Sequence, residues 1–117
     1  MLRVLIHQED FSPLYDQLKA GRGKNKAMLE VIDNIKQQLQ KSDRPLGIHH
    51  KSNNIPQCYK ARYGVQVLYH FEMPDAHRLM YTIRKSPYDG NKEALFLKLI
   101  SHDLYNKQFG YFKKKSH

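Results

Sequence analysis

The sequence predicts one α+β domain of two layers, in which an N-terminal strand and two helices pack on one face of an antiparallel sheet of four or five strands, followed by a short C-terminal helix. Apolar residues at helical spacing dominate the first 41 residues, whereas short alternating runs typical of strands follow Arg44. A chain of 117 residues fits one such domain. We therefore treat residues 1–117 as one unit and expect residues 113–117 to form a mobile tail.

The N-terminal elements are a strand and two helices. The run Leu2–Ile6 is apolar and rich in β-formers, which predicts the first strand. A helix is expected from Ser12, whose hydroxyl can cap the first turn while Pro13 occupies the first helical position. The second helix, about residues 26–41, has Asn25 as its expected N-cap. Its apolar residues lie on one stripe: Met28, Val31, Ile32, Ile35 and Leu39.

The C-terminal elements are predicted to be strands and one short helix. The segment Cys58–Glu72 predicts one long strand, or two strands interrupted by a bulge at Gly64. His77–Lys85 returns as an antiparallel partner, and Glu93–Ile100 is the last strand. A short helix then begins with Ser101 as its N-cap. With helices on one face of this sheet, we expect the other face to be open to solvent or to a partner.

Composition limits the cellular setting and indicates the kind of partner. The single Cys58 cannot form an internal disulfide, and the N-terminus lacks the apolar run of a signal peptide, so we expect a cytoplasmic protein. No apolar run approaches the ~20 residues that span a bilayer, so no membrane role is expected. The 20 Lys and Arg residues exceed the 11 Asp and Glu residues by nine charges. A small domain this basic is typical of proteins that bind a polyanion or an acidic protein.

Alternation along the β segments predicts a cationic surface. Lys60 and Arg62 share one side of the strand predicted at Cys58–Glu72, and Arg78 and Arg84 share one side of the next strand, His77–Lys85. If the helices cover the faces that carry Tyr59 and Leu79, Lys60, Arg62 and Arg78 converge on the open face. Such a surface can hold successive phosphates of a single RNA strand. Basic residues at alternating positions are also ordinary on the solvent side of a strand, so both interpretations stay open.

Two residues near the C-terminus could transfer protons. His102 and Tyr105 are three residues apart on the predicted terminal helix, so their side chains share a face. A histidine can exchange a proton near neutral pH, and a tyrosine can donate to a developing charge. A histidine at a helix start and a tyrosine in the core are the structural alternative.

Other chemistry is not favoured. His49, His50 and His70 are not accompanied by a second cysteine or a carboxylate at ligand spacing, so we expect no metal site and no cofactor. Cys58 has no residue identifiable as its base, and a lone cysteine is usually a small hydrophobe.

Three segments resemble the RelE/ParE superfamily of bacterial toxins, most closely its RNA-cleaving RelE and YoeB members. Tyr59–Arg62 matches a pattern of Tyr, Lys, any residue and a basic residue. Arg78–Tyr81 matches Arg, Leu, an apolar residue and Tyr, and His77 stands in front as in the YoeB branch. His102 and Tyr105 correspond to the His or Arg and the Tyr that follow the last strand of those proteins.

The resemblance implies a ribonuclease that uses no metal and cleaves messenger RNA, often in the ribosomal A site, and that an acidic antitoxin holds silent. The implied chemistry is attack of a 2′-hydroxyl on the adjacent phosphate, which gives a 2′,3′-cyclic phosphate and a free 5′-hydroxyl. Lys60, Arg62 and Arg78 would supply the cations. His102 and Tyr105 would transfer protons.

Further RNA contacts are expected from His50, Lys51, Arg84 and Lys107. His50 and Lys51 lie in a predicted loop, residues 43–57, that could enter the site. Arg84 approaches a turn, which is equally typical of a solvated strand end. Two other functions stay open: a non-catalytic module that binds RNA or a partner, and a ParE-like toxin directed at DNA gyrase.

Overall fold

The structure, a computed structural model, describes residues 2–110 of the chain. The predicted α+β class is confirmed. The predicted tail, residues 113–117, lies outside the described residues. The elements in chain order are β1 (Arg3–Ile6), α1 (Ser12–Ala20), α2 (Lys24–Gln40), β2 (Ile48–His50), α3 (Gln57–Tyr63), β3 (Leu68–Met73), β4 (His77–Lys85), β5 (Lys92–Ser101) and α4 (His102–Gln108).

The five strands form one mixed sheet in the order β1-β5-β4-β3-β2. Strands β2 to β5 pair antiparallel as expected, whereas β1 pairs parallel with β5. A bulge interrupts the β4–β5 ladder, because Met80 and Tyr81 pair with Lys98 and Phe96 and leave Leu97 out of register. The bulge changes the alternation of β5 close to the end that leads into α4.

Helices α1 and α2 cover one face of the sheet. Four residues of the predicted stripe are buried there: Met28, Ile32, Ile35 and Leu39. They pack in one core with Leu79 and Tyr81 of β4, each of which is completely buried. Burying a side chain of this size contributes about 1.5–3 kcal/mol, so this layer supplies much of the folding free energy.

The predicted caps of these two helices are wrong, although the helices are not. Phe11 is the N-cap of α1 and makes no side-chain cap hydrogen bond, since Ser12 is already helical. Gly23 is the N-cap of α2, with φ of 61°, so the helix begins before Asn25. A glycine adopts this backbone angle without the strain that another residue would carry.

The other face of the sheet is not open, which corrects the expectation. Helices α3 and α4 pack against it around a second core. Tyr59 belongs to this second core, whereas Leu79 belongs to the first, so these two residues face opposite layers. The buried members of the second core are Ile55, Tyr59, Val65, Leu68, Met80, Leu95, Leu97, Ile100 and Tyr105.

The first part of the segment predicted as a strand, Cys58–Glu72, is instead helix α3. Pro56 precedes its first helical residue, and Gly64 ends it in a left-handed conformation while its N–H donates to Lys60 O. The Tyr59 and Tyr63 rings, four residues apart, lie 6.0 Å from each other on one side of the helix. Two residues four positions apart also lie on the same side of a β-strand, which is why the pattern predicted a strand here.

The predicted cap of α4 and the predicted loop before α3 can also be compared with the structure. Ser101 caps α4 as predicted, since its Oγ accepts a hydrogen bond from Leu104 N at 3.1 Å. The predicted loop at residues 43–57 contains the short strand β2 and a 3-10 turn at Ser52–Asn54.

None of the helices in the described part of the chain has the length and apolar character needed to cross a bilayer.

Candidate functional site

Arg78 is the central cation of the candidate site. The β3–β4 register sets it opposite Glu72, whose Oε2 lies 3.2 Å from Arg78 Nη1. The guanidinium carbon lies 5.2 Å from the centroid of the Tyr105 ring. The Arg78 side chain is only 13% exposed. A guanidinium held by a carboxylate and an aromatic face loses little freedom on binding an anion, so Arg78 is a preorganised cation.

His102 is the exposed partner of Arg78. Because Ser101 ends β5 and caps α4, His102 is the first helical residue, and its backbone N–H donates to Ala76 O at 2.7 Å. His102 Nδ1 lies 3.0 Å from Arg78 Nη2. His102 Nε2 lies 3.1 Å from Asn106 Nδ2, one helical turn along. The ring is therefore held at both nitrogens.

The contact with Arg78 determines the tautomer of neutral His102. A guanidinium has only donors, so Nδ1 must accept the hydrogen bond. The single ring proton then lies on Nε2, where the Asn106 amide can accept it if its oxygen is turned toward the ring. His102 thus directs a lone pair at the cation and a proton away from it.

Two buried histidines lie behind this pair. His50 Nε2 and His70 Nδ1 are 2.7 Å apart, and the two residues are 8% and 2% exposed. His70 Nε2 lies 3.4 Å from Glu72 Oε1, so the Glu72 carboxylate bridges the histidine pair to the guanidinium. The resulting chain of polar contacts has five members: His50, His70, Glu72, Arg78 and His102.

Burial keeps the two inner histidines neutral near pH 7. It lowers the pKa of His50 to about 4, and the neighbouring His70 and His49 rings act in the same direction. Burial also lowers the pKa of His70, although Glu72 acts to raise it. Since neither histidine adds positive charge, the Glu72 carboxylate is left to balance Arg78.

Aromatic rings form the wall between the buried histidines and α4. Tyr105 and Phe109 stack with their centroids 4.4 Å apart. The Tyr105 ring lies 5.2 Å from His70, and the Phe109 ring lies 4.7 Å from His50. Tyr105 is 7% exposed, and its ring face supports Arg78. The structure therefore places Tyr105 inside the site, while its role in proton transfer stays a prediction.

The expectation that Lys60 and Arg62 share a sheet face with Arg78 is wrong, because both lie on α3. Arg62 Nη2 donates to Asp10 Oδ1 at 2.6 Å, and Arg62 Nε donates to the other oxygen of the same carboxylate. These hydrogen bonds hold the pKa of Asp10 well below its usual range. Tyr63 donates to Asp10 as well. Lys60 is exposed on the helix.

The four residues expected to contact RNA lie in different surroundings. His50 is buried in β2 and is not on an entering loop, whereas Lys51 is exposed directly after that strand. Lys107 is exposed in the last turn of α4. Arg84 lies toward the opposite end of β4 from Arg78, with its Nε 2.9 Å from Glu93 Oε1. Their contact with RNA stays a prediction.

Three residues of the site were not assigned a place in it from the sequence. Glu72 faces Arg78 only through the β3–β4 register, which the turn at residues 74–76 sets and which alternation alone does not fix. His70 was considered only as a metal ligand. Asn106 could have been found, because a residue four positions after His102 on a helix lies on the same face.

Within residues 2–110, no three His, Cys, Asp or Glu side chains are grouped as a metal site would require. Comparisons with protein-family models, with curated proteins and with solved structures found no match to the chain.

Proposed function

We propose that this protein is an endoribonuclease that cleaves messenger RNA without a metal ion. The observation that carries the proposal is the 3.0 Å contact between Arg78 and His102, made in a chain with a net charge of +9. Attack by a 2′-hydroxyl needs a cation for the charge that develops on the phosphate and a group that takes the hydroxyl proton. Arg78 and His102 are residues of these two kinds, side by side.

In the proposed reaction, a phosphate of the RNA displaces His102 from Arg78. An anionic oxygen accepts a hydrogen bond from a guanidinium more strongly than a neutral imidazole nitrogen does. His102 Nδ1 is then free to take the proton of the 2′-hydroxyl as that oxygen bonds to phosphorus. The bond from phosphorus to the 5′-oxygen breaks, and this oxygen takes a proton from water. The products are a 2′,3′-cyclic phosphate and a 5′-hydroxyl.

Glu72 and Tyr105 are the proposed positioning residues for Arg78. The Arg78 Nε is buried and has no hydrogen-bond partner among the described residues, so the Nη groups make the contacts with Glu72 and His102. Glu72 holds Nη1, and the Tyr105 ring limits movement toward the core. The Nη2 group can therefore exchange His102 for a phosphate oxygen without moving the rest of the side chain.

The proposal includes a cellular setting: a cytoplasmic toxin whose substrate is messenger RNA, free or on the ribosome, and whose inhibitor is an acidic antitoxin. A chain with a charge of +9 is attracted to any RNA, because attraction to the phosphate backbone does not depend on sequence. An acidic antitoxin that covers Arg78 would block both binding and cleavage.

The test uses the purified full chain, an end-labelled RNA and a chelator of divalent ions. We expect cleavage that leaves a 2′,3′-cyclic phosphate. His102→Ala and Arg78→Ala should each lower the rate by about 100-fold, the usual effect of losing one group that stabilises a transition state. Arg78→Lys should restore part of the rate. Lys26→Ala, an exposed position in the first turn of α2, is the control and should leave the rate unchanged.

Three results would contradict the proposal. Cleavage that needs a divalent ion would exclude the metal-independent mechanism. RNA that binds tightly and stays intact would favour a non-catalytic binding module. Growth arrest by the parent chain with intact transcripts would favour a toxin directed at gyrase.

A further inference from the structure

Glu72 contacts Arg78 with only one of its two carboxylate oxygens. Its Oε2 lies 3.2 Å from Arg78 Nη1, whereas its Oε1 lies 3.4 Å from Nε2 of His70. A carboxylate beside a guanidinium frequently binds two of its nitrogens in parallel, as the Asp10 carboxylate does with Arg62. The single contact between Glu72 and Arg78 departs from this preference.

The Glu72 side chain has the reach and the freedom to contact Arg78 with both oxygens. The two residues are directly opposite in the β3–β4 register, and the Glu72 side chain is 60% exposed. The Arg78 side chain is largely removed from water, which strengthens its attraction for an anion. If Oε1 moved to Nη2, it would take the group that now lies 3.0 Å from His102. Arg78 would then be closed to a phosphate in the way that Arg62 is.

His70 supplies the contact that competes for Oε1. A carboxylate only accepts hydrogen bonds, so the proton of the neutral His70 ring must lie on Nε2 for this nitrogen to bind Glu72. The His70 side chain is only 3% exposed. If Oε1 turned to Arg78, this N–H would lose its acceptor in a place that water hardly reaches, and a buried donor without a partner destabilises the folded state. That cost opposes a second contact between Glu72 and Arg78.

His50 fixes the proton of His70 on the required nitrogen. His70 Nδ1 lies 2.7 Å from His50 Nε2. With its proton on Nε2, neutral His70 has a lone pair at Nδ1, so His50 Nε2 must donate to it. Burial lowers the pKa of both rings, which keeps them neutral near pH 7. The hydrogen bonds therefore run in one direction, from His50 to His70 and from His70 to Glu72.

We propose that His70 keeps Glu72 from closing on Arg78, so that the Nη2 group of the arginine stays open to a phosphate. His50 contributes by holding His70 in one tautomer. The inference rests on the proposed function, in which a phosphate of the RNA replaces His102 at this group. Glu72 orients Arg78 through one contact and would block it through two. The buried histidines are thus positioning residues that act through Glu72 and do not touch the substrate.

The test combines His70→Phe with Glu72→Gln in the full chain. Phenylalanine keeps a ring against Tyr105, whose centroid lies 5.2 Å from that of His70, but it cannot donate to Glu72. His70→Phe should lower the rate of RNA cleavage about tenfold, because Glu72 then contacts both Nη groups of Arg78. Glu72→Gln alone should lower the rate about threefold, because Arg78 loses the carboxylate that orients it.

The double variant separates the proposed role from a structural one. Once Glu72 is a glutamine, no carboxylate can close on Arg78, so His70→Phe should have no further effect. Glu72→Gln should therefore lower the rate in the parent and raise it about threefold in the His70→Phe variant. If His70 served only the stability of the core, Glu72→Gln would not restore the rate.

The matched control is His49→Phe, the same substitution at an exposed histidine of β2. It should leave the rate unchanged, and Glu72→Gln should still lower the rate in its presence. Thermal unfolding of each variant shows that it is folded at the temperature of the assay.

Binding is measured in parallel with a fluorescent RNA of 12 nucleotides that is 2′-O-methylated throughout and so has no free 2′-hydroxyl to attack. His70→Phe should weaken binding about threefold or more, because Arg78 is occupied by Glu72. The double variant should bind at least as tightly as the parent, because it also lacks the negative charge of Glu72.

A measurement on the parent protein does not depend on the folding of any variant. The ¹⁵N chemical shifts of the His70 ring near pH 7 distinguish a nitrogen that carries a proton from one that carries a lone pair. We expect the proton on Nε2 and the lone pair on Nδ1. A proton on Nδ1 of neutral His70 would overturn the proposal, because Nε2 could then not donate to Glu72.

Equal losses from His70→Phe in the parent and in the Glu72→Gln variant would also overturn it, since His70 would then act independently of Glu72. If the parent does not cleave RNA but Glu72→Gln restores binding of the methylated RNA to the His70→Phe variant, the nuclease fails and the role of His70 is supported. If the parent cleaves RNA and the two substitutions are independent, only the role of His70 fails. The two failures are therefore distinguishable.

Discussion

The carboxylates around an arginine decide whether a substrate can recruit it, and Arg62 and Arg78 differ in this respect. Arg62 contacts both oxygens of Asp10 and also approaches Glu9 at 3.6 Å. A phosphate would have to displace a bidentate carboxylate to bind there. Arg78 has one carboxylate contact, and its Nη2 group lies 3.0 Å from Nδ1 of His102, which is not a carboxylate. Of the two, Arg78 is therefore the arginine that the proposed function assigns to an RNA phosphate, while Arg62 joins α3 to the segment before α1.

At the residue scale, we predict that Asp10→Ala destabilises the protein by about 1.5 kcal/mol, because it removes hydrogen bonds to a charged group and leaves Arg62 and Tyr63 without their shared acceptor. Arg62 lowers the pKa of Asp10 below the value near 3.9 of an unfolded chain, so this stabilisation is present above that pH and is lost as the pH falls through and below it. Urea unfolding at pH 7 and pH 3 measures both effects.

The control for this prediction is Asp16→Ala, an exposed aspartate on α1. It should change the free energy of unfolding by less than about 0.5 kcal/mol, as surface substitutions usually do. If the Asp10 and Asp16 variants lose the same stability at pH 7, the Asp10–Arg62 contact does not anchor α3.

At the scale of elements, α3 shows where sequence patterns become ambiguous. Helix α3 has only seven residues, and its tyrosines at positions 59 and 63 fit both a spacing of two and a spacing of four. The residues that decide between the two are the neighbours Pro56 and Gly64, which are typical of a helix start and a helix end. The long apolar stripe of α2 fits only a helix, and the alternation of β4 fits only a strand. These two elements were therefore predicted correctly.

The short strand β2 depends on Gly47, which directly precedes it. Gly47 has φ of +85°, and a Cβ added there would lie 2.6 Å from the backbone oxygen of His70. We predict that Gly47→Ala destabilises the protein and separates His50 from His70, because β2 must move away from β3. The loss should exceed the cost of about 1 kcal/mol that a left-handed backbone alone imposes on alanine. Urea unfolding measures it.

Gly90→Ala is the matched control for that prediction. Gly90 has a similar φ of +72°, but a Cβ there would meet nothing within 4 Å. The difference between the two variants therefore isolates the approach of β2 to β3. Equal losses of unfolding free energy in the two variants would mean that β2 tolerates displacement. The close approach of Gly47 to β3 would then not constrain the His50–His70 contact.

At the scale of the whole molecule, the candidate site combines three strands and a helix, and this limits what the sequence can predict. His102 and Arg78 were predicted from residue type and spacing. Their link to the buried histidines depends on two strand registers, β2 with β3 and β3 with β4. A shift of one residue in either register would turn His70 or Glu72 to the other layer. Alternation identifies which residues share a side of a strand, but it does not identify their partners across the sheet.

The histidine pair predicts how the stability of the whole protein changes with pH. The pKa of His50 is about 4 in the folded protein and near 6.5 in an unfolded chain, so the unfolded state binds the additional proton between these values. The contribution of His50 to the free energy of unfolding should therefore be constant above pH 6.5 and should decrease as the pH is lowered toward 4. From 1.4 kcal/mol per unit of pKa difference, the loss by pH 4 is on the order of 3 kcal/mol. Thermal unfolding across this range measures it.

His50→Gln should flatten this pH dependence, because glutamine does not titrate. The control is His49→Gln, which removes an exposed histidine from the same strand and should leave the slope between pH 6.5 and 4 unchanged. An unchanged slope in His50→Gln would assign the acid sensitivity to other groups.

The parallel pairing of β1 with β5 also has a consequence for the timing of folding. Nearly the whole described chain lies between these two neighbours, and strand β5 must be in place before β1 can join the sheet. His102 follows β5 directly. During synthesis, Arg78 would leave the ribosome well before the strand and the helix that place His102 beside it. If the protein has the proposed nuclease function, a nascent chain would therefore be attracted to RNA before it could cut RNA, so an unfinished chain would not cleave its own message.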